Sequence, residues 1–284
     1  LAQTYSPQWL HAQLVELNRS RFEPTLPLDA AALDDASFQR ELEFVEQERS
    51  AVSALAQAAP RDELAFIDWF EELKVSGPGQ GDELFPWLAE RASLTNMRWF
   101  LAQEAAGEAG FDDLVALTQV KMPKRAKLEL ARNFWDEMGQ GRAGGMHGPM
   151  LGRLTEALEL SVGAEGTVWE SLALANLMSA LSANRRYAFQ SLGALGVIEL
   201  TAPGRAELVN AGLKRLGVPG SARRYFALHA TLDVKHSRSW NREVLGPLVA
   251  DRPELAPALA EGALMRLEAG ARCFCRYRRY FGLS

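Results

Sequence analysis

Apolar residues along this chain recur at three- and four-residue intervals, the spacing of one helix face. Runs of Val, Ile, Thr or aromatics alternating with period two are missing, while stretches rich in Ala, Leu, Glu and Arg dominate. The pattern predicts an all-α protein. Helices are expected at 7–20, 30–58, 61–76, 84–109, 123–140, 148–162, 165–200, 203–217, 221–240 and 253–280. Pro and Gly punctuate them, in SGPGQGD at 76–82, KMPK at 121–124, GQGRAGG at 139–145 and TAPG at 201–204. Asp34, Asp35 and Ser37 offer caps for the helix that continues as FQRELEFVEQERSAV.

The character of the helices changes near 76–82. Residues 30–75 are acidic, amphipathic and free of glycine, whereas the helices that follow are more apolar and carry the unusual polar residues. Short, charged helices need a neighbour on which to bury their stripe. The expected organisation is therefore an N-terminal helical extension, 1–81, packed on a helical domain at 82–284.

Composition narrows the class of function. The chain has 284 residues, 48% of them hydrophobic and 24% charged, with a formal charge of −5. That balance suits a soluble globular protein and gives no electrostatic reason to expect nucleic acid as a partner. No apolar run approaches the ~18 residues of a membrane span, and the opening LAQTYSPQWL does not read as a signal peptide. Two cysteines two apart, Cys273 and Cys275, form no disulfide framework. The expected location is the cytoplasm, and a homodimer is one possible assembly.

Candidate chemistry begins with HATLDVKH at 229–236. On a helix the offsets from His229 are about 40° for Asp233 and about −20° for His236, so the three side chains share one narrow stripe. Imidazole with carboxylate suits iron, manganese or zinc, although a solvated polar face has the same spacing. In NFWDEMGQGRAGGMHGPML, Glu137 precedes His147 by ten residues and several glycines. An unbroken helix would rotate the two apart by about 80°; a glycine-rich break can realign them. Glu199 stands on the apolar stripe of Leu192, Leu195 and Gly196, where a carboxylate must be paired, protonated or bound to a cation. Glu104, with Phe100 and Leu101 on its face and Glu108 a turn further on, presents the same picture. A local ion pair with Arg98 or Arg91 would satisfy it without a metal. Helical proteins that hold two metal ions do so with carboxylates and histidines projecting inward from several facing helices.

At these residues the sequence resembles the haem-oxygenase-like diiron oxidase and oxygenase superfamily, the iron-containing redox enzymes. WDEMGQGRAGGMH looks like that family's Glu and distal His helix, and HATLDVKH like its His-x-x-x-Asp-x-x-His helix. The likeness covers about 84–282. It implies a helical bundle of about seven core helices, shared with haem oxygenase, thiaminase II and pyrroloquinoline quinone synthase, with the N-terminal helices as an addition. It also implies that Glu137, His147, His229, Asp233 and His236 are iron ligands, joined by Glu199 and, as an extra carboxylate, Glu104. Two Fe(II) ions would be the cofactor, O2 the co-substrate, and a small molecule the substrate to be oxidised or oxygenated.

Other readings remain open on sequence. One is a metal-free enzyme of the same fold, such as a thiaminase-like hydrolase with a cysteine nucleophile; another is a non-catalytic helical binding protein. Trp99, Phe100, Phe134, Trp135, Trp169, Tyr187, Phe189 and Phe226 are available to wall a cavity or simply to fill the core. Arg272, Arg276, Arg278 and Arg279 could meet an anionic substrate or face solvent.

Overall fold

The computed structural model describes residues 5–26 and 35–283. The helices are α1 (Pro7–Phe22), α2 (Asp35–Gln57), α3 (Glu63–Ser76), α4 (Leu84–Glu90), α5 (Leu94–Gly107), α6 (Phe111–Thr118) and α7 (Lys124–Glu137). They continue as α8 (His147–Ala157), α9 (Trp169–Ala183), α10 (Ala188–Arg215), α11 (Arg224–Trp240), α12 (Gly246–Asp251) and α13 (Ala256–Phe281). Among the described residues there is no strand, and an isolated antiparallel bridge pairs Met138 with Met146. The all-α class expected from the pattern is the class observed. Residues 30–34 of the second predicted helix, Asp34 included, lie outside the described residues.

Helices α6 and α12 fall outside the segments expected from the sequence, and several helix limits differ from it, three of them for reasons visible in the structure. The segment 84–109 breaks at Ser93, whose hydroxyl and backbone exchange hydrogen bonds with Asn96 in a capping box. Arg215 then donates to the carbonyls of Ala89 and Ala92, satisfying the end of α4. The segment 165–200 breaks at Asn184, whose side chain accepts from Arg186 N, and a short turn of 3₁₀ helix at Arg185–Tyr187 resets the direction. Conversely, α10 runs on through Pro203, where a stop is expected. Pro203 has no N–H, so the Glu199 carbonyl loses its helix donor. Pro203 is buried, and the helix continues across that gap.

Helix α10 packs against α11 and α13, with α4 and α9 beside it. Backbones come close where glycine permits. A Cβ at Gly193 would lie 1.8 Å from the Leu259 carbonyl oxygen, and one at Gly262 would lie 1.8 Å from that of Gln190. These reciprocal contacts lock α10 onto α13. Gly193→Ala is therefore expected to destabilise the chain by at least about 1–3 kcal/mol, the usual cost of overpacking, measurable as a lower midpoint in denaturant. At Gly196 a Cβ would strike the Trp240 indole at 2.7 Å, and that indole donates to the Leu192 carbonyl at 3.2 Å. The Gly196–Trp240 contact sets the register of α11 on α10, bringing His236, one turn before Trp240, opposite Glu199, one turn after Gly196.

The N-terminal helices bury their stripes on this assembly. Asn176 on α9 donates to the His11 carbonyl at 2.9 Å and holds Asn18 at 2.9 Å. Arg272 on α13 forms a two-pronged pair with Glu48 on α2, at 3.0 and 3.1 Å. Arg276 lies 3.9 Å from Glu170, and Arg278 pairs with Asp82. This corrects the expectation for the basic C-terminal cluster: three of its four arginines tie the bundle together, and only Arg279 is exposed. His11 is buried between Phe44 and Trp169, where desolvation, with help from Arg272, lowers its pKa to about 4.

Candidate metal centre

Glu137 is the last residue of α7 and His147 the first of α8. Between them the chain makes a tight excursion and returns, closed by the Met138–Met146 bridge. Gly139 and Gly141 take φ of +59° and +80°, and a Cβ on Gly139 would lie 2.3 Å from the Gly145 backbone. Only glycine fits that crossing. The excursion does what an unbroken helix could not: His147 Nδ1 lies 2.6 Å from Glu137 Oε2. From α11, His229 Nε2 reaches within 3.1 Å of His147 Nδ1.

A second group stands beside the first. Glu199 from α10 and Asp233 and His236 from α11 offer ligand atoms that all lie within 4.8 Å of one another. The first group, Glu137, His147 and His229, meets the same limit. Because His229, Asp233 and His236 follow the stripe of a single helix, α11 serves both groups. The six residues singled out in the sequence are thus gathered into two adjacent triads of one or two carboxylates with one or two imidazoles. Glu104 joins neither. It accepts from the Tyr277 hydroxyl at 3.1 Å, while its expected partner Arg98 binds Glu159 instead.

Neighbours that the sequence reading did not assign hold the ligand atoms in place. Tyr225 O lies 2.8 Å from His229 Nδ1, which keeps the proton there and leaves Nε2 free to face the triad. Asp136 Oδ2 lies 3.2 Å from His236 Nε2 and leaves His236 Nδ1 free in the same way. Asn133 donates to Glu199 Oε1 at 2.6 Å. Asp136 and Asn133 belong to the quoted α7 motif, one residue and one turn before Glu137, and adjacency to Glu137 was the only signal available for them. Asp136→Ala is expected to weaken iron binding by about 10–100-fold, the usual cost of losing such an outer partner. Competition with a calibrated Fe(II) chelator would measure it, with a circular dichroism spectrum unchanged from the wild type.

The electrostatics describe a site that lacks positive charge. Burial, then repulsion from Glu199, pushes Glu137 up to about 9. Asp233 is pushed well above the carboxylate range by burial, with Glu199 and Glu137 adding to it. Burial and the neighbouring His236 lower His147; burial and His147 lower His229 to about 4. Both members of the Glu137–His147 contact therefore favour their neutral forms, a carboxylic acid donating to an imidazole rather than an ion pair. His236 goes the other way: burial would lower it, but Glu199 and Asp136 outweigh burial and raise it to about 9. Its Nδ1 sits 3.4 Å from Glu199 Oε1 without hydrogen-bond alignment. Asp233 Oδ1 and His236 Nδ1 are buried polar atoms with no partner, a costly state that a bound cation would relieve.

Both triads open on a cavity of about 170 Å³. Its apolar lining includes Phe85, Phe100, Phe111, Ile198 and Phe226, and its polar lining Glu104, Glu108, Arg205 and Arg266. Of the aromatic residues considered from sequence, Phe100 and Phe226 are on this wall. The others are used elsewhere: Trp99 stacks on Tyr280, Trp169 on His11, Tyr187 donates to Glu46, Phe134 and Phe189 pack on the core, and Trp135 is exposed. Of the two cysteines, Cys273 is fully buried and pushed up to about 12 by burial and then by Glu104. It is not a ready nucleophile.

A family model for iron-containing redox enzymes matches residues 98–271, which includes both triads. The chain belongs to that family. Two crystal structures of a CADD-like protein of unknown function from Nostoc punctiforme PCC 73102 are similar to this chain in fold. One has a TM-score of 0.55 over 85% of this chain and 98% of the other, at 17% identity. The second has a TM-score of 0.52 over 85% and 96%, also at 17% identity. The bundle is haem-oxygenase-like, as the resemblance implied. No curated protein matches the chain. No helix among the described residues is long and apolar enough to cross a membrane.

Proposed function

We propose that this iron-containing redox enzyme holds two Fe(II) ions, one per triad, and uses O2 to oxidise or oxygenate a small molecule in the adjoining cavity. The observation that carries the reading is the pair of buried triads side by side, with ligand atoms on Asp233 and His236 that no protein group satisfies. Imidazole and carboxylate donors together suit iron, and three carboxylates would offset most of the four positive charges of two Fe(II) ions. Bound iron would supply open coordination positions and the electrons for reducing O2.

The chain's own residues would do the rest. Glu137, His147 and His229 would take one ion and Glu199, Asp233 and His236 the other. Tyr225 O, Asp136 and Asn133 would keep His229, His236 and Glu199 aimed inward. Phe100, Phe111 and Phe226 would exclude bulk water beside the metals. Glu108 accepts from the Phe111 N–H and, at 3.5 Å, from the Tyr225 hydroxyl. Burial raises its pKa, so its carboxyl oxygens are suited to holding a proton at the cavity wall.

The test is to load metal-free protein anaerobically with Fe(II) and mix it with O2 in a stopped-flow spectrometer. A transient visible absorption and stoichiometric O2 uptake are expected. Preferential retention of a single zinc ion, with O2 untouched, would refute the reading.

A further inference from the structure

Two guanidinium groups line the same cavity, and neither was expected from the sequence. Arg205 follows Glu199 by six residues on α10, a rise of about 9 Å along the helix, and Arg266 projects from α13. Their charged neighbours are each other, Glu104 and Glu108, not the triad carboxylates. Among the described residues neither arginine forms a direct ion pair with these acids, whose recorded hydrogen bonds go to other groups. Glu104 accepts from the Tyr277 hydroxyl; Glu108 accepts from the Phe111 N–H and the Tyr225 hydroxyl.

The arginines are nonetheless held in position. Arg205 donates to two neutral oxygens, Thr201 Oγ1 at 3.1 Å and Gln80 Oε1 at 3.5 Å. Its guanidinium carbon lies 5.6 and 5.9 Å from the ring centres of Phe274 and Phe85. Arg266 lies along α13 toward its C-terminal end, over Gly270, where a Cβ would come 3.0 Å from its Nη1. Its Nε is buried and has no hydrogen-bond partner. Two adjacent half-buried cations on a cavity wall, one of them with a buried donor unspent, are an expensive arrangement unless an anion completes them.

We infer that Arg205 and Arg266 anchor a carboxylate on the substrate, leaving the rest of that molecule to extend along the cavity toward the two triads. The inference rests on the reading of this cavity as the substrate chamber of a diiron oxidoreductase. A carboxylate fits better than a phosphate: it is planar, matches the guanidinium fork and carries a single charge. A phosphate dianion would face Glu104 and Glu108 across the same space. The substrate class is therefore a small carboxylic acid with an apolar body, held by the aromatic lining.

The test compares sodium hexanoate, hexanamide and inorganic phosphate on the iron-loaded protein, by calorimetry and thermal shift, with iron measured in each sample. The wild type is expected to bind hexanoate saturably and melt at a higher temperature with it, and not to respond to hexanamide. Arg266→Gln and Arg205→Gln should each weaken hexanoate binding at least tenfold at unchanged iron content. Without ligand they should melt no lower than the wild type, since a half-buried charge without an ion-pair partner has been removed. Arg266→Lys, which keeps the charge and loses the fork, should lie between. Equal binding of acid and amide, wild-type affinity in the arginine variants, no saturable hexanoate binding, or binding of phosphate in its place would each overturn the assignment. Absence of iron would sink the diiron reading alone, because hexanoate binding and its loss in the variants would still decide the anchor.

Discussion

Asp233→Asn is expected to make the metal-free chain more heat-stable while cutting its iron content from about two ions to about one. The two effects have one cause. Asp233 is buried, its Oδ1 has no partner, and Glu199 and Glu137 oppose its ionisation. At neutral pH the folded metal-free chain must either keep a proton on Asp233 or hold an unpaired buried charge. Asn has the same shape and carries neither cost, so a gain of about 1–3 kcal/mol is expected. The same change removes one of the two carboxylate ligands of the second triad, leaving it Glu199 and His236, while the first triad keeps its full set. Calorimetry of the metal-free protein and iron analysis of the loaded protein check both halves. A lower melting temperature with undiminished iron would count against this account of Asp233.

Between about pH 6.5 and 9 the metal-free chain is expected to lose stability steadily, whereas the iron-loaded chain is not. Glu137 rises from 4.5 to about 9 on folding and His236 from 6.5 to about 9. Each keeps its proton in the folded chain where the unfolded chain has released it. The stability they confer is present below the unfolded value and is lost as pH climbs through the folded one. His229 and His11 shift down, from 6.5 to about 4, so their effect is complete by pH 6.5 and does not oppose the fall above it. Iron requires the deprotonated ligands, and its binding strengthens as pH rises. Melting temperatures followed across this window should therefore diverge with and without iron. Parallel curves would show that the triads do not exchange protons for metal.

Much of this was legible in the residue pattern, and the exceptions have physical causes. The all-α class follows from spacing alone, because helical periodicity and the absence of alternation are local properties. The His229–Asp233–His236 stripe is equally local: three residues on one helix must point the same way. Glu137 and His147 were harder, since ten residues of helix would separate them. The glycines between them hinted at the break, yet only the crossing of Gly139 over Gly145 shows how it closes. Helix limits failed where side chains from distant segments decide them, as Arg215 does at the end of α4. Pro203 misled because α10 continues, with the proline buried, across a residue that ends most helices. The partner of Glu104 was misjudged for the same reason: Arg98 is six residues back on the same helix, but Tyr277 comes from another helix altogether. Arg205 and Arg266 gave no signal, being two of many arginines on amphipathic helices until the fold sets them in one cavity.

The central claim is that two metal ions sit in two specified places. Anomalous diffraction at the iron absorption edge, from crystals loaded anaerobically with Fe(II), tests it most directly. Two peaks are predicted, one bounded by Glu137, His147 and His229 and the other by Glu199, Asp233 and His236. A single peak, or iron bound away from these six residues, would contradict it.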